Sequence, residues 1–451
     1  MEVVMNKKLP LISLFIMSIV SIFHWTLKPK ELYEAKWNAP DTTLAITING
    51  EISTTFPTTN AYTGTVECTT GTGKVEWNGT KWVLTTSGIT KGSTKCNATF
   101  VTAVPAPDGW YDAGSGTLLA SLRDNNELRK TITTPGVAVS TADEAILAST
   151  EDDYGTSYYF RGAVTNNYVE FANKCWRIVR VSGDGSVKLI LHNDNTKKAA
   201  NPCDSANNST SAAFAHYNGS TYKSVFNLRG SDNAYVGFKY GTLGSRTYPA
   251  THANTHKSTI LTNLETWYNN NLTAYESVID DTVWCNDKTN VTDTTYNPMN
   301  YKNVNGLGFG TNETYYGATQ RLVSASKSAG GTGPSLKCNG ELSKITSEVG
   351  LITADELAFA GYAYGKNNTT TYLQENATAT YNTWWWSLSP YTFNSYNAYV
   401  WSVGGSAGSF DGNFDGSSGN SSSAVRPSIS LISTTYVTGN GSSEHPYTIS
   451  M

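Results

Sequence analysis

The chain has 451 residues, of which 15% are charged, and a formal net charge of −4 at pH 7. Charged residues make up roughly 25% of an average soluble domain, so this chain is poor in charge. Because no long basic run is present either, the sequence lacks the electrostatic footprint of a nucleic-acid-binding protein, and we expect no nucleic-acid partner. The length is sufficient for two or three domains with a buried core.

Residues 1–30 are predicted to form a hydrophobic signal or anchor helix. Lys7 and Lys8 precede an apolar run at residues 9–25, which has about the minimum length for a membrane span. No clear small-x-small cleavage site follows, which favours an uncleaved signal-anchor over a cleaved signal peptide. Either alternative predicts an exported chain that is anchored at the cell surface or secreted.

Residues 41–104 are predicted to form a small all-β sandwich of the immunoglobulin-like kind that serves as a stalk. Residues 44–48 alternate between apolar and polar side chains, and Asn78-Gly79 separates two short β-prone runs. An Asn-Gly pair between such runs is a strong hairpin signal. The proline-rich joint that follows starts a linker at 105–151, with one short helix near residues 117–125.

Six cysteines follow one another along the chain as three successive couples. They show no CxxC spacing typical of zinc or redox sites. Six cysteines allow fifteen connectivities, and we predict the sequential one. Disulfides form in oxidising compartments, which agrees with export. The predicted pairs are Cys68–Cys96, Cys175–Cys203 and Cys285–Cys338.

Residues 152–451 are predicted to form the main domain. Residues 176–181 and 187–191 favour strands that are joined by a Gly-containing turn. Residues 258–272 carry apolar side chains at helical spacing, and Thr353 with Glu356 has the spacing of a capping box. Several strands, few short helices and long polar loops predict an α+β fold.

The segment 391–424 has the composition of a binding surface. Its residues are mainly Ser, Gly, Asn, Tyr and Phe, and it contains no Lys, Arg, Glu or Gln. Tyrosine supplies a large contact area at low entropic cost, and Ser, Gly and Asn supply adaptable hydrogen bonds, as in antibody paratopes. A flexible Ser/Gly linker is the alternative, but interleaved aromatic residues and the strand-like pattern at 398–403 argue against it.

Several motifs resemble those of bacterial C-type-lectin-like surface proteins that are related to the formylglycine-generating-enzyme fold. The resemblance extends from about Asp152 to the C-terminus, and the combination of motifs is specific although each one alone is weak. It implies a C-type-lectin-like domain behind the sandwich and the N-terminal helix. The motifs are NNYV at 166–169, CWRI at 175–178, WCND at 284–287, GLITADE at 350–356, WWWSLSP at 384–390, VRPSISL at 425–431 and GNGSSEHPYTI at 439–449.

In relatives of this type, the segment between the WWWSLSP-like and VRPSISL-like anchors is rewritten by diversity-generating retroelements, which mutate template adenines. An Asn codon changed in this way yields residues such as Asn, Ser, Tyr, Asp, Gly or Phe, but never Lys, Glu, Gln, Met or Trp. The resemblance therefore implies a variable region at 391–424 on a scaffold that includes Val400, Trp401 and Val403. The expected ligand contacts are Asn394, Ser395, Tyr396, Tyr399, Phe410, Asp411, Asn413, Phe414, Asp415, Ser417, Ser418, Asn420 and Ser421.

The predicted function is non-covalent binding of a protein or glycan on another cell, a phage or a host surface. A carbohydrate-binding lectin of fixed specificity and a structural adhesin or pilus-like subunit are the alternatives. We expect no catalysis, because a formylglycine-generating oxidase needs a reactive cysteine pair and the cysteines here are assigned to disulfides. We expect no cofactor or metal. Calcium is the weak exception, because oxygen-bearing side chains cluster at Asp280, Asp281, Asn286 and Asp287.

Overall fold

A computed structural model describes most of the chain from Thr43 to Ile449, in two compact units, Met1–Val104 and Pro105–Met451. The predicted signal-anchor at 1–30 lies outside the described residues. These residues are 43–48, 51–58, 62–78, 81–90, 93–102, 116–126, 128–129, 145–301, 307–338, 344–378, 384–404, 407–414 and 423–449.

The first unit consists of six described strands in two sheets. The larger sheet has the order β2-β1-β6-β3, with β1 and β6 parallel, and β4 and β5 form a hairpin. The strands are β1 Thr43–Ile48, β2 Glu51–Ser53, β3 Tyr62–Cys68, β4 Thr72–Trp77, β5 Trp82–Ser87 and β6 Lys95–Thr102.

Side chains from both sheets form the core of the first unit. Leu44 and Ile46 on β1 and Phe100 on β6 pack with Val75 on β4. Leu44 and Ile46 lie on the same side of their strand, as the alternation in the sequence predicts. The hairpin pairs Trp77 with Trp82, so the Asn-Gly signal located this turn correctly.

The second unit contains five described α-helices and most of the strands. The helices are α1 Leu118–Asn125, α2 Tyr248–Thr251, α3 Thr259–Asn271, α4 Gly317–Leu322 and α5 Ala354–Ala360. The strands are β7 Leu128–Arg129, β8 Ala145–Asp152, β9 Gly155–Gly162, β10 Tyr168–Phe171, β11 Lys174–Val181, β12 Val187–Asn193, β13 His216–Tyr217, β14 Ser220–Thr221, β15 Lys223–Ser224, β16 Lys239–Tyr240, β17 His256–Lys257, β18 Thr282–Cys285, β19 Thr314–Tyr315, β20 Lys344–Ser347, β21 Trp384–Phe393, β22 Ala398–Gly404, β23 Ser409–Phe414, β24 Ser423–Ala424, β25 Ser428–Leu431, β26 Val437–Thr438 and β27 Tyr447–Ile449.

A nine-stranded sheet is the largest element of this unit. Its main path is β26-β27-β10-β11-β9-β8-β7, and β12 pairs with both β11 and β25. Every residue of β11 and β12 is buried, including the charged residues Lys174, Arg177, Arg180 and Lys188. Strands β7 and β8 belong to this sheet, so part of the segment predicted as a linker is built into the second unit.

The helix signals in the sequence were accurate. Ser258 caps α3 by accepting a hydrogen bond from the Leu261 amide. Thr353 and Glu356 form the predicted capping box at the start of α5. After α5, Gly361 has φ of 114°, a left-handed conformation that glycine adopts without steric cost.

The predicted α+β class is wrong. Strand accounts for 38% and helix for 14% of the described residues, so the described fold is mainly β. The error arose in the long polar segments that we assigned to loops, because several of them contain two-residue strands that pair with each other, such as β13 with β14 and β16 with β17. Among the described residues, no helix is sufficiently long and apolar to span a membrane.

Three disulfides connect the cysteines as the sequence predicts. Cys68 and Cys96 join neighbouring strands of the first unit, and the other two pairs lie in the second unit. No cysteine in the described part of the chain is free. These bonds indicate an oxidising environment of the kind found outside the cytoplasm.

Candidate ligand-binding face

The segment 391–424 contributes strands to a six-stranded sheet. The main path of this sheet is β15-β24-β21-β22-β23, and β19 pairs with β21 on the side opposite β22. Strands β21 and β22 form an antiparallel hairpin whose last pair is Phe393 with Ala398. The linker alternative therefore fails for the described residues of this segment, because most of them are built into a packed sheet.

Aromatic side chains fill the interior beneath these strands. Trp401 is fully buried and lies 4.5 Å from the Phe410 ring and 4.8 Å from the Tyr391 ring, measured between ring centroids. Val400 and Val403 are buried as well. These three β22 residues are the ones that the sequence assigned to the scaffold.

A four-residue turn connects β21 to β22 and is closed by its own side chains. The Asn394 carboxamide oxygen accepts hydrogen bonds from the amides of Tyr396 at 3.1 Å and Asn397 at 2.8 Å. Ser395 has φ of 71°, which is uncommon for a residue with a side chain. At the base of the turn, the Ala398 amide donates to the Gly230 carbonyl at 2.7 Å.

Tyr396 is the most exposed large side chain of this region, with 73% of its surface accessible. It projects from a turn that is fixed at both ends. Asn394, Ser395 and Asn397 beside it are half-buried. The predicted contacts Asn394 and Ser395 therefore also shape the backbone that presents Tyr396.

Two further tyrosines lie next to this turn. The Tyr399 hydroxyl accepts a hydrogen bond from the Asn394 side-chain nitrogen Nδ2 at 3.2 Å. Burial raises the pKa of Tyr301 to about 12, with Tyr399 as one of the neighbouring groups that contribute. Tyr301 also stacks on Tyr315, with ring centroids 5.1 Å apart. We call the surface of Tyr301, Ser395, Tyr396, Asn397 and Tyr399 the tyrosine face.

Tyr301 was missed by the sequence analysis. It lies in a polar segment far from residues 391–424, and no local pattern links it to them. Its hydroxyl is 3.2 Å from the Thr392 hydroxyl on β21. The pairing of β19 with β21 brings this part of the chain to the face.

Two of the predicted ligand contacts, Phe410 and Asp411, interact with other residues of the protein. Phe410 is fully buried against Trp401, so its side chain has no surface to offer and we leave it out of the tyrosine face. Asp411 accepts a hydrogen bond from the Gly412 amide at 2.7 Å. Burial raises the pKa of Asp411, while hydrogen bonds from Gly412 and Tyr391 act in the opposite direction.

The remaining predicted contacts follow on β23 and beyond it. Asn413 and Phe414 lie on β23 opposite Val400 and Tyr399. The other five lie outside the described residues, namely Asp415, Ser417, Ser418, Asn420 and Ser421.

Two of the four oxygen-bearing residues that suggested calcium have partners within the protein. The Asn286 side chain accepts from the Phe238 amide and donates to the Lys239 carbonyl. Asp287 forms an ion pair with Arg321 at 2.9 Å. Burial raises the pKa of Asp280 to about 7. Within the described ranges, no group of three or more acidic, His or Cys side chains is arranged to hold a metal ion.

A buried ionic network supports the strand that leads to the tyrosine face. Glu356 on α5 forms ion pairs with Arg180 at 2.8 Å and Lys188 at 2.7 Å, and Arg180 also binds Asp152. The same helix is bonded to β21, because the Ala354 amide donates to the Ser389 hydroxyl at 3.0 Å. The ion pairs thus hold α5 against β11 and β12, and the hydrogen bond from Ala354 to Ser389 holds it against β21.

Comparisons with protein-family models, curated proteins and solved structures gave no match for this chain. The resemblance to retroelement-diversified surface proteins therefore stays a prediction.

Proposed function

We propose that the protein is an exported binding protein that holds a macromolecular ligand non-covalently at the tyrosine face. The observation that carries the proposal is Tyr396, which is 73% exposed at the tip of a turn fixed by Asn394 and by the Ala398–Gly230 hydrogen bond. A large exposed aromatic side chain on a rigid backbone is an effective anchor, because little conformational entropy is lost when it binds.

The surroundings of Tyr396 support polar selectivity around this anchor. Ser395, Asn397 and Tyr399 offer hydroxyl and amide groups, and none of the five residues of the tyrosine face is charged. Uncharged polar groups around aromatic anchors form the rim of many protein interfaces. The ligand that we propose is a protein or glycan on another cell, a phage or a host surface.

Diversification of residues 391–424 by a retroelement is part of the proposal. Tyr396, Asn394, Ser395 and Tyr399 all belong to the residue types that a mutated Asn codon yields. The buried Trp401 does not, and it lies in the scaffold. We further propose that the N-terminal apolar run, residues 9–25, anchors the protein at the cell surface.

Panning with the full oxidised chain tests the binding proposal. The immobilised protein is probed with a random-peptide phage library and with a glycan array. We expect binders that lose most of their affinity when Tyr396→Ala is introduced. Tyr217→Ala is the matched control, since Tyr217 is 65% exposed on the separate β13–β14 hairpin.

The two probes also separate the alternatives. The proposal would be contradicted if no binder lost more affinity in Tyr396→Ala than in Tyr217→Ala, or if no binders were enriched. Binding restricted to one glycan, together with an invariant coding sequence for 391–424, would favour a lectin of fixed specificity.

A further inference from the structure

A groove of about 420 Å³ opens on the second unit between two distant parts of the sequence. Residues 163–168 form one wall and residues 369–378 form the other. The Tyr372 amide donates to the Gly162 carbonyl at 2.8 Å and ties the two walls together. This volume lies within the range of small-molecule binding sites, and the groove shares no lining residue with the tyrosine face.

Glu375 presents a fixed carboxylate to this groove. Its Oε2 atom accepts hydrogen bonds from the Tyr168 hydroxyl at 2.8 Å and from Arg177 at 3.0 Å. Its Oε1 atom accepts from Asn208 at 2.7 Å. A carboxylate has about four acceptor positions, and the side chain remains 37% exposed. Glu375 is therefore a pre-oriented acceptor for one more donor from a ligand.

The charge of this carboxylate is balanced from beneath. The Arg177 side chain is fully buried, and its guanidinium lies 3.7 Å from the centre of the Tyr168 ring. Burial and the charges of Arg177 and Arg426 hold the pKa of His192 well below its ordinary value, so this neighbour is neutral. Among the described residues that line the groove, Glu375 alone carries a formal charge. Because Arg177 neutralises Glu375, the described lining of the groove offers a charged ligand no side chain with an unbalanced opposite charge.

The rest of the lining combines hydroxyls with apolar surface. Thr165 and Thr369 are exposed at the rim and Thr378 is half-buried. Threonine hydroxyls donate and accept hydrogen bonds, and their methyl groups offer apolar contact. Tyr168 and Tyr372 also line the groove, with 6% and 3% of their surfaces accessible. Sugar rings have both kinds of surface, hydroxyls at the edge and C–H groups on the faces.

We propose that this groove binds a small neutral saccharide, with Glu375 accepting a hydrogen bond from a sugar hydroxyl and the threonines contacting its other hydroxyls. The site is independent of the tyrosine face, so the protein carries two binding surfaces.

Saturation-transfer NMR with the full oxidised chain tests this proposal. The probes are glucose, galactose, mannose, N-acetylglucosamine, lactose, maltose and chitobiose, with glucuronate and glucosamine as charged comparisons. Thr369→Trp fills the groove from an exposed position, so that the fold is preserved. Thr311→Trp is the matched control, because Thr311 is also exposed and does not line the groove. Near-ultraviolet circular dichroism verifies that both variants are folded.

We expect at least one neutral sugar to bind saturably and to lose affinity by about tenfold or more in Thr369→Trp. Thr311→Trp and Tyr396→Ala are expected to retain that affinity, which separates this site from the tyrosine face. The proposal is overturned if none of the neutral sugars binds, if a charged sugar binds better, or if Thr369→Trp leaves the affinity unchanged.

Discussion

Replacing Glu356 with Gln is expected to destabilise the second unit strongly. The Glu356 Oε1 atom accepts from Arg180 and Lys188, and its Oε2 atom accepts from the Thr353 amide at 2.8 Å. A glutamine has one oxygen in place of two, so its amino group must face either the two cations or the Thr353 amide. Two buried positive charges then lose their shared counter-ion.

The magnitude follows from the burial of the pair. Glu356 and Lys188 are 3% and 2% exposed. Removing one partner of a buried ion pair costs about 3–5 kcal/mol, because the remaining charge is left uncompensated. The measurement is urea unfolding followed by tryptophan fluorescence, since the second unit contains several fully buried tryptophans, among them Trp176 and Trp284.

Glu265→Gln is the matched control for this variant. It breaks the Lys257–Glu265 pair, which has a similar distance of 2.7 Å but side-chain exposures of 53% and 31%. Exposed pairs contribute at most about 1 kcal/mol. If Glu356→Gln lowered the free energy of unfolding by no more than the control does, the assignment of the network as a stabilising element would be refuted.

Four further predictions concern acid stability, the turn, the core and a disulfide. Burial alone would raise the pKa of Glu356, but Lys188 and Arg180 outweigh it and lower the pKa to about 2 from an ordinary 4.5. The contribution of this carboxylate to the free energy of unfolding is therefore fully present above about pH 4.5 and falls by roughly 3 kcal/mol towards pH 2. Urea titrations across this pH range should find a smaller loss in Glu356→Gln. Ser395→Val should lower the free energy of unfolding by about 1–2 kcal/mol because of its positive φ, whereas Ser395→Asn should not; equal effects in urea titrations would contradict this. Phe410→Ala should cost about 3–5 kcal/mol in the same assay, and a near-neutral result would place Phe410 outside the core. Replacing both Cys285 and Cys338 with Ser opens a connection of sequence separation 53 and should cost about 4 kcal/mol, measured as a shift of the urea midpoint, with an unchanged midpoint as the contrary result.

Local chemistry explains which parts of the fold were predictable. The Asn78-Gly79 turn, the Ser258 cap and the capping box at Thr353 and Glu356 are encoded within a few neighbouring residues, and the structure confirms each one. The disulfide pairs followed from the order of the cysteines. These signals need no knowledge of distant contacts.

Long-range contacts explain the remainder. The parallel pairing of β1 with β6 joins residues about 50 positions apart, and no local pattern specifies it. The burial of Phe410 depends on Trp401 and Tyr362, which pack against it, so an aromatic residue in a Ser/Gly-rich segment was interpreted as a contact. Tyr301 reaches the tyrosine face by stacking on Tyr315, which lies on β19 and pairs with Thr392 on β21.

Sequencing the codons for residues 391–424 in several isolates of the source population tests whether this segment is diversified. Diversification predicts substitutions at adenine-matched codons of exposed or half-buried positions such as Tyr396 and Tyr399. It also predicts constant residues at Trp401, Phe410 and Gly412, since the first two are fully buried and a side chain at Gly412 would collide with the Tyr391 ring. An invariant segment, or substitutions spread equally over Trp401 and Tyr396, would contradict a diversified binding face.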